Sequence, residues 1–226
     1  MIPLKDNIPS KRYPLINIVL IIINFTIFFW ELSLPGNYRE YIFWKFGFIP
    51  QRFFEISLLP SSVLTLFSSL FLHGGWAHIL GNMLFLWIFG DNVEDSMGHF
   101  RYLFFYLSAG IVANIIQGFF SYNKLIPTIG ASGAIAGVLG AYLIYFPGAR
   151  ILTLAFLGFF IEFIYIPASF FLILWFLIQF FSGMFSLALY EITGGVAWWA
   201  HIGGFVFGLI IAPKLRRYRR YHFYYF

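Results

Sequence analysis

Three short stretches of this chain carry polar side chains inside otherwise apolar sequence. FLHGGWAHILGN holds His73, His78 and Asn82, GASGAIAG holds Ser132, and VAWWAHIGGFVFG holds His201. A serine hydroxyl becomes a good nucleophile when a base removes its proton, and imidazole is basic enough to do so near neutral pH. Amide and imidazole donors could stabilise the charge that develops on an attacked carbonyl oxygen. The residue types therefore permit acyl-transfer chemistry, provided that folding brings them together.

Metal binding is a second use for histidines, and the spacing speaks against it. A helical zinc motif needs two histidines at i and i+4 with a glutamate between them, whereas HGGWAH has five-residue spacing and no acid. The chain contains no cysteine, which excludes disulfides, thiolate metal sites and cysteine nucleophiles. We expect no metal and no other cofactor.

The elements that must position these side chains are membrane helices. Of 226 residues, 61% are hydrophobic and only 10% are charged, which is far outside the range of soluble domains. We expect an all-α polytopic integral membrane protein with one domain, residues 1–226, and an interfacial first outer loop at 33–70. Six uncharged runs of roughly 20 residues predict six transmembrane helices, at roughly 14–32, 76–92, 102–122, 130–147, 166–186 and 197–213.

One apolar segment is too short to cross a bilayer. Ile151–Ile161 lies between the fourth and fifth predicted spans, and we interpret it as an interfacial or re-entrant piece.

The basic residues predict the orientation of the chain in the membrane. With six spans, one side would hold ten Lys and Arg residues and the other side the four at Arg39, Lys45, Arg52 and Lys124. Cytoplasmic loops carry the excess of positive charge, so we expect both termini in the cytoplasm and a site that opens to the outer side. The basic tail KLRRYRRYHFYYF is typical of anchoring at the membrane surface rather than of nucleic-acid binding. A prokaryotic plasma membrane is the simplest location.

Glycines line the helices that carry the serine and the last histidine. They allow a neighbouring helix to approach at backbone distance, and those nearest the candidate site are Gly130, Gly133, Gly204 and Gly208. Ser132, His201, His78 and Asn82 would all lie near the outer ends of inward-running spans, at similar depth. Two glycine-faced helices that pack together would let the serine meet the histidine.

Other interpretations of these residues remain open. Serine among glycines is often a packing residue in membrane helices, and His73 could simply bond neighbouring helices. A transporter or channel would also hold polar residues in its bundle, but it needs a pathway to both sides. The inner halves of these spans are mostly Leu, Phe, Ile and Gly.

The three motifs, in this order and on these spans, resemble the rhomboid family of intramembrane serine proteases. The resemblance covers roughly 15–212 and implies Ser132 as nucleophile and His201 as general base. It implies His78, Asn82 and the backbone N–H of Ser132 as oxyanion donors. It assigns structural roles to His73 and to Glu94, which lies at the far end of the second span.

The resemblance implies a serine endopeptidase that cleaves single-pass or polytopic membrane-protein substrates in the lipid bilayer. A catalytically inactive rhomboid-like chaperone or adaptor is the alternative function. The nearest acid before His201 is Glu191, so we expect a Ser-His dyad rather than a triad. Some family members place an aromatic ring at the position of Ala136, which leaves open what orients His201. We further hypothesise that substrates enter beside the bulky, aromatic fifth span. No oligomeric state is indicated.

Overall fold

The fold is a helical bundle with a small sheet at one end. The computed structural model describes residues 1–55, 59–157, 160–188 and 195–217. The described helices are α1 (Leu15–Ser33), α2 (Gly36–Phe46), α3 (Pro50–Phe54), α4 (Leu59–Ser68), a 3₁₀ turn (Ser69–Phe71), α5 (Trp76–Met97), α6 (His99–Phe120), α7 (Ser132–Tyr145), α8 (Ala168–Ala188) and α9 (Trp198–Leu215). The chain is mostly helical, which confirms the predicted fold class.

A helix lies in each of the six segments expected to span, but the count of six spans is not confirmed. Among the described residues, α1, α6, α8 and α9 are long and apolar enough to cross a membrane. The α4 segment and α5 would count as one further span only together, since a break bends them by 80°. Helix α7 has 14 residues, roughly 21 Å at 1.5 Å per residue, which is short of a bilayer's apolar core.

The length of α7 is explained by its surroundings. Eleven of its residues are buried, because α5, α6, α8 and α9 all contact it. A helix enclosed by other helices does not need to match the lipid thickness. Its place at the centre of the bundle is what matters for the site.

A three-stranded antiparallel sheet was not predicted. Its strands are β1 (Ile2–Asp6), β2 (Arg150–Leu157) and β3 (Phe160–Pro167), in the order β1-β2-β3. The segment Ile151–Ile161, interpreted as an interfacial or re-entrant piece, instead forms most of β2 and the start of β3. Aromatic and β-branched residues favour strands, and a second such run, FIEFIYIP, follows directly to pair with the first.

The first outer segment is helical and folds against the bundle. Helices α2 and α3 occupy much of it, and Phe48 pairs with Thr128 through two backbone hydrogen bonds of 3.0 and 2.7 Å. Thr128 lies shortly before α7, and the N–H of Gly130 donates to Ser69 O at 2.9 Å. These bonds fix the path of the chain into the first turn of α7, where Ser132 lies.

Candidate active site

The serine and the last histidine meet across the contact between α7 and α9. Ser132 is the first residue of α7, and His201 lies in the first turn of α9. The distance from Ser132 Oγ to His201 Nε2 is 2.8 Å, a normal hydrogen-bond length. His201 is buried and Ser132 is half-buried. This is the nucleophile–base geometry of a serine hydrolase.

The α7–α9 seam is made of glycine backbone on both sides. A Cβ added to Gly204 would lie 2.0 Å from Gly133 O, and one added to Gly208 would lie 2.1 Å from Gly137 O. No side chain fits at such distances, so both positions of α9 require glycine. The expected glycine-mediated approach therefore occurs, and it holds the starts of the two helices together.

The second nitrogen of His201 has a partner that the sequence analysis missed. Gln179 on α8 places Oε1 2.7 Å from His201 Nδ1. Its Nε2 donates to Trp175 O one turn earlier, at 3.4 Å. Gln179 is the one amide side chain in the apolar run 163–190, and a polar group at that depth is costly without a partner. A search of this run for polar groups that need a partner would have identified Gln179 as a candidate site residue.

Aromatic rings of two helices flank the imidazole. The ring of Trp175 lies 5.9 Å from that of His201 at 34°, and Trp198 approaches it edge-on at 6.2 Å. Ala136 is buried and lies next to Gly204. The ring contacts of His201 thus come from α8 and α9 rather than from α7.

His78 and Asn82 lie beside the serine, over Gly130. A Cβ on Gly130 would meet His78 Nε2 at 2.5 Å and Asn82 Nδ2 at 3.7 Å. Gly130 also has a φ of +119°, a conformation that residues with a Cβ rarely adopt. The absence of a side chain there leaves room for the imidazole and amide to face the start of α7.

His73 and a buried acid support Asn82 from behind. The Nδ2 of Asn82 donates to His73 Nε2 at 3.0 Å, and His73 Nδ1–H donates to Phe71 O at 3.3 Å. The backbone N–H of His73 faces both carboxylate oxygens of Glu31, at 3.4 and 3.3 Å. Glu31 was not predicted from the sequence, where it ends the first apolar run. This set of bonds fixes the amide of Asn82.

The candidate site lines a cavity of about 1130 Å³. Its wall includes five residues of the candidate site: Ser132, His201, His78, Asn82 and Gln179. The cavity is large enough for a peptide segment, and its described lining contains no carboxylate. The described residues also contain no cluster of three or more potential metal ligands. Glu191, the nearest preceding acid, lies outside the described residues.

A family model for the rhomboid domain matches residues 60–218, which include all five of these cavity residues. The chain belongs to the rhomboid family. It is 46% identical over 78 residues to "Rhomboid protease GluP" of Bacillus subtilis and 33% identical over 102 residues to "Rhomboid protein 1, mitochondrial" of Saccharomyces cerevisiae. It is 30% identical over 151 residues to "Presenilin-associated rhomboid-like protein A, mitochondrial" of Danio rerio.

The rhomboid matches cover limited parts of each protein. They include 34%, 42% and 62% of this chain and 15%, 29% and 34% of the three relatives. The rhomboid family includes serine intramembrane proteases, and these act on membrane-protein substrates within the bilayer. Because two of the three relatives are mitochondrial by name, the predicted prokaryotic plasma membrane is not supported. The chain is an integral membrane protein with several apolar helices.

At the far end of the rhomboid domain, Glu94 caps another helix. Its carboxylate accepts the N–H groups of Ile16 and Asn17 at 2.9 and 2.7 Å, and it also bonds His99 Nδ1. A carboxylate at the first turn of α1 satisfies N–H groups that have no partner within the helix. Glu94 is thus placed away from Ser132, near the ends of α5 and α6.

Proposed function

We propose that this rhomboid protein is an intramembrane serine endopeptidase that uses Ser132 as nucleophile and His201 as general base. The single observation that carries the proposal is the 2.8 Å contact between Ser132 Oγ and His201 Nε2. A serine used only for helix packing would bond a backbone carbonyl of its own or a neighbouring helix. Here it instead faces a buried imidazole on the wall of a large cavity.

The arrangement supports a two-step hydrolysis. His201 Nε2 takes the proton of the Ser132 hydroxyl as Oγ attacks the peptide carbonyl carbon. The resulting oxyanion would be stabilised by His78, Asn82 and the backbone N–H of Ser132. Collapse of this intermediate breaks the C–N bond, and the proton on Nε2 passes to the leaving amine. Water, activated by the same nitrogen, then releases the acyl group from Oγ.

The substrates we propose are membrane proteins, cleaved within or next to a transmembrane helix. Apolar helices surround the cavity, and α8 is the one with the least buried candidate span, at 22%. A helical substrate would enter beside α8 and unwind into the cavity, because a helical peptide bond is shielded and hydrogen-bonded. The charge distribution supports cytoplasmic termini and a cavity that opens on the opposite side.

Labelling with a fluorophosphonate tests the proposal without knowledge of the substrate. We expect the purified wild type to react, and Ser132→Ala and His201→Ala to lose labelling by roughly 10³-fold or more. Ser108→Ala is the matched control, since Ser108 is an exposed serine of α6 and its loss should leave labelling unchanged. Labelling that survives Ser132→Ala would contradict the proposal. A folded wild type that does not react would instead favour the adaptor function.

A further inference from the structure

The catalytic role proposed for His201 requires its other ring nitrogen, Nδ1, to carry a hydrogen. To accept a proton at Nε2, a neutral imidazole must carry its hydrogen on Nδ1. Hydrogen-bond acceptors at Nδ1 select this tautomer, as the carboxylate does in a Ser-His-Asp triad. Gln179 Oε1, at 2.7 Å, is in the place of that carboxylate.

The bonds of Gln179 fix which end of its amide faces the histidine. Its Oε1 lies 2.7 Å from His201 Nδ1, and its Nε2 makes a longer contact of 3.4 Å with Trp175 O. An oxygen can only accept, so His201 Nδ1 must be the donor. Gln179 is 6% exposed, which limits competition from water for this bond. The Nε2 lone pair then points at the Ser132 hydroxyl.

We propose that Gln179 is the positioning residue of the site, so that Ser132, His201 and Gln179 form a hydrogen-bonded triad rather than a simple dyad. The proposal rests on the proposed function. The amide holds the imidazole in the tautomer and orientation that the reaction needs, and its carbonyl dipole stabilises the imidazolium that forms. The other ionisable groups on the described cavity wall are His78, Tyr122 and Lys124, and none of them supplies a carboxylate acceptor.

The location of Gln179 adds a consequence. Ser132 and His201 are held by α7 and α9, whereas Gln179 belongs to α8, beside which we propose that substrate enters. If α8 moves outward, His201 loses its acceptor while the serine–histidine distance is still set by the glycine seam. The site is therefore fully assembled only when α8 is seated against α9.

Removal of the amide acceptor tests the proposal. We expect Gln179→Met, which keeps the size of the side chain, to lower the fluorophosphonate labelling rate by roughly ten- to a hundredfold. The matched control is Ile178→Met, because Ile178 is its neighbour on α8 and is 53% exposed on the outer face. That control should label at the wild-type rate.

A charged acceptor separates a positioning role from a packing role. Gln179→Glu keeps an acceptor oxygen and should restore labelling to within about tenfold of the wild type. Its negative charge stabilises the protonated imidazole, so the acid limb of the labelling rate should move to higher pH. Equal losses in folded Met and Glu variants would overturn the proposal, and so would a folded Met variant that labels like the wild type.

A measurement on the unmodified protein keeps the proposal falsifiable if the variants do not fold. Nitrogen-15 NMR of the imidazoles, with His201 assigned by its loss in His201→Ala, should show the hydrogen on Nδ1. A hydrogen on Nε2 would overturn the positioning role. The position of this hydrogen does not depend on catalysis. A wild type that does not label would therefore contradict the proposed function, while the NMR result would still test the positioning role of Gln179.

Discussion

Helix α9 packs against two neighbours in different ways. Against α7 it presents glycines, and a Cβ at Gly204 would lie 2.0 Å from a carbonyl oxygen of α7. Against α8 it presents side chains, with the rings of Phe205 and Phe176 stacked at 4.9 Å. The first contact holds backbones at fixed separation, while the second can be opened without breaking backbone packing. The serine–histidine pair spans the fixed contact, and the amide that holds the histidine spans the adjustable one.

The exposure of α8 supports this difference. Its candidate span is 22% buried, compared with 39% for α9. Large apolar side chains cover its outer face, including Phe170, Phe181 and Phe185, which are 57%, 56% and 67% exposed. Lipid solvates such a face as well as protein does, so α8 gains little from apolar contacts alone. The hydrogen bond between Gln179 and His201 therefore contributes much of what holds the middle of α8 against α9.

A glycine-to-alanine substitution at each contact of α9 tests whether the contact with α7 is more rigid than the contact with α8. We expect Gly204→Ala to lower fluorophosphonate labelling by roughly a hundredfold or more and to destabilise the protein, because the new Cβ forces α9 away from Gly133. Gly183→Ala on α8 should stay within about threefold of the wild type. Its Cβ would meet Ile202 Cδ1 at 3.2 Å, and the end of a flexible side chain can move.

Both variants should be read by labelling rate and by thermal melting in the same detergent. Gly148→Ala controls for the loss of a glycine as such, since a Cβ there meets nothing within 4 Å. Similar losses in the Gly204 and Gly183 variants would show that the two contacts are equally rigid. The distinction between a fixed and an adjustable side of α9 would then be wrong.

Locking α8 should separate substrate entry from chemistry. The rings of Phe85 on α5 and Phe171 on α8 lie 6.4 Å apart, and the chain has no cysteine of its own. We expect a crosslinked Phe85→Cys/Phe171→Cys pair to cleave a membrane substrate at least tenfold more slowly than the same protein uncrosslinked. Labelling by the small fluorophosphonate should change less than threefold, because Gln179 stays in place. Undiminished cleavage in the locked state would exclude entry beside α8.

Much of this arrangement could be predicted from the sequence, because rare groups in apolar runs carry strong information. A histidine such as His201 in a membrane helix needs a reason, and glycines at four-residue spacing indicate close helix packing. The meeting of α7 with α9 followed from these two signals. Gln179 carries a signal of the same kind, but a single amide without a nearby glycine pattern does not indicate its partner 22 residues away.

The rest could not be predicted from local patterns. The strands β2 and β3 are largely apolar, like a membrane segment, and the pairing of β2 with β1, about 150 residues away in the chain, is set by tertiary contacts. Glu31 has no periodic or spacing signal that links it to His73. The count of six spans is not confirmed for a related reason, since composition alone does not distinguish a helix buried in protein, such as α7, from one that faces lipid.

The smallest expected effect concerns the anchoring of α8 at its start. Strand β3 leads directly into α8, and β2 pairs with both β3 and β1. Asp6, the last residue of β1, accepts hydrogen bonds from the amide of Asn92 at 2.9 Å and from the hydroxyl of Tyr142. The pKa of Asp6 is raised from 3.8 to about 6, chiefly by burial. The hydrogen bond from Tyr142 lowers it, the nearby charge of Asp91 raises it, and the backbone hydrogen bond of Ile8 and the charge of Lys5 lower it. The folded protein therefore binds the Asp6 proton more tightly than the unfolded chain does. Stability from this group is present below about pH 4 and is lost as the pH rises through about 6.

Asp6→Asn removes that titration and keeps a neutral side chain of the same size. The melting temperature of this variant, relative to the wild type, should therefore rise by about 2–4 °C between pH 5 and pH 7.5. Lys5→Gln, at the neighbouring exposed position of β1, removes a charge that lowers the Asp6 pKa, so its melting temperature relative to the wild type should change less and in the opposite direction. If burial does not raise the pKa of Asp6, the difference between Asp6→Asn and wild type will be the same at both pH values. Asp6 would then add no pH-dependent stability to the sheet that leads into α8, and the start of α8 would depend on other contacts, such as the pairing of β2 with β3 and the backbone bond from Ala168 to Ala149.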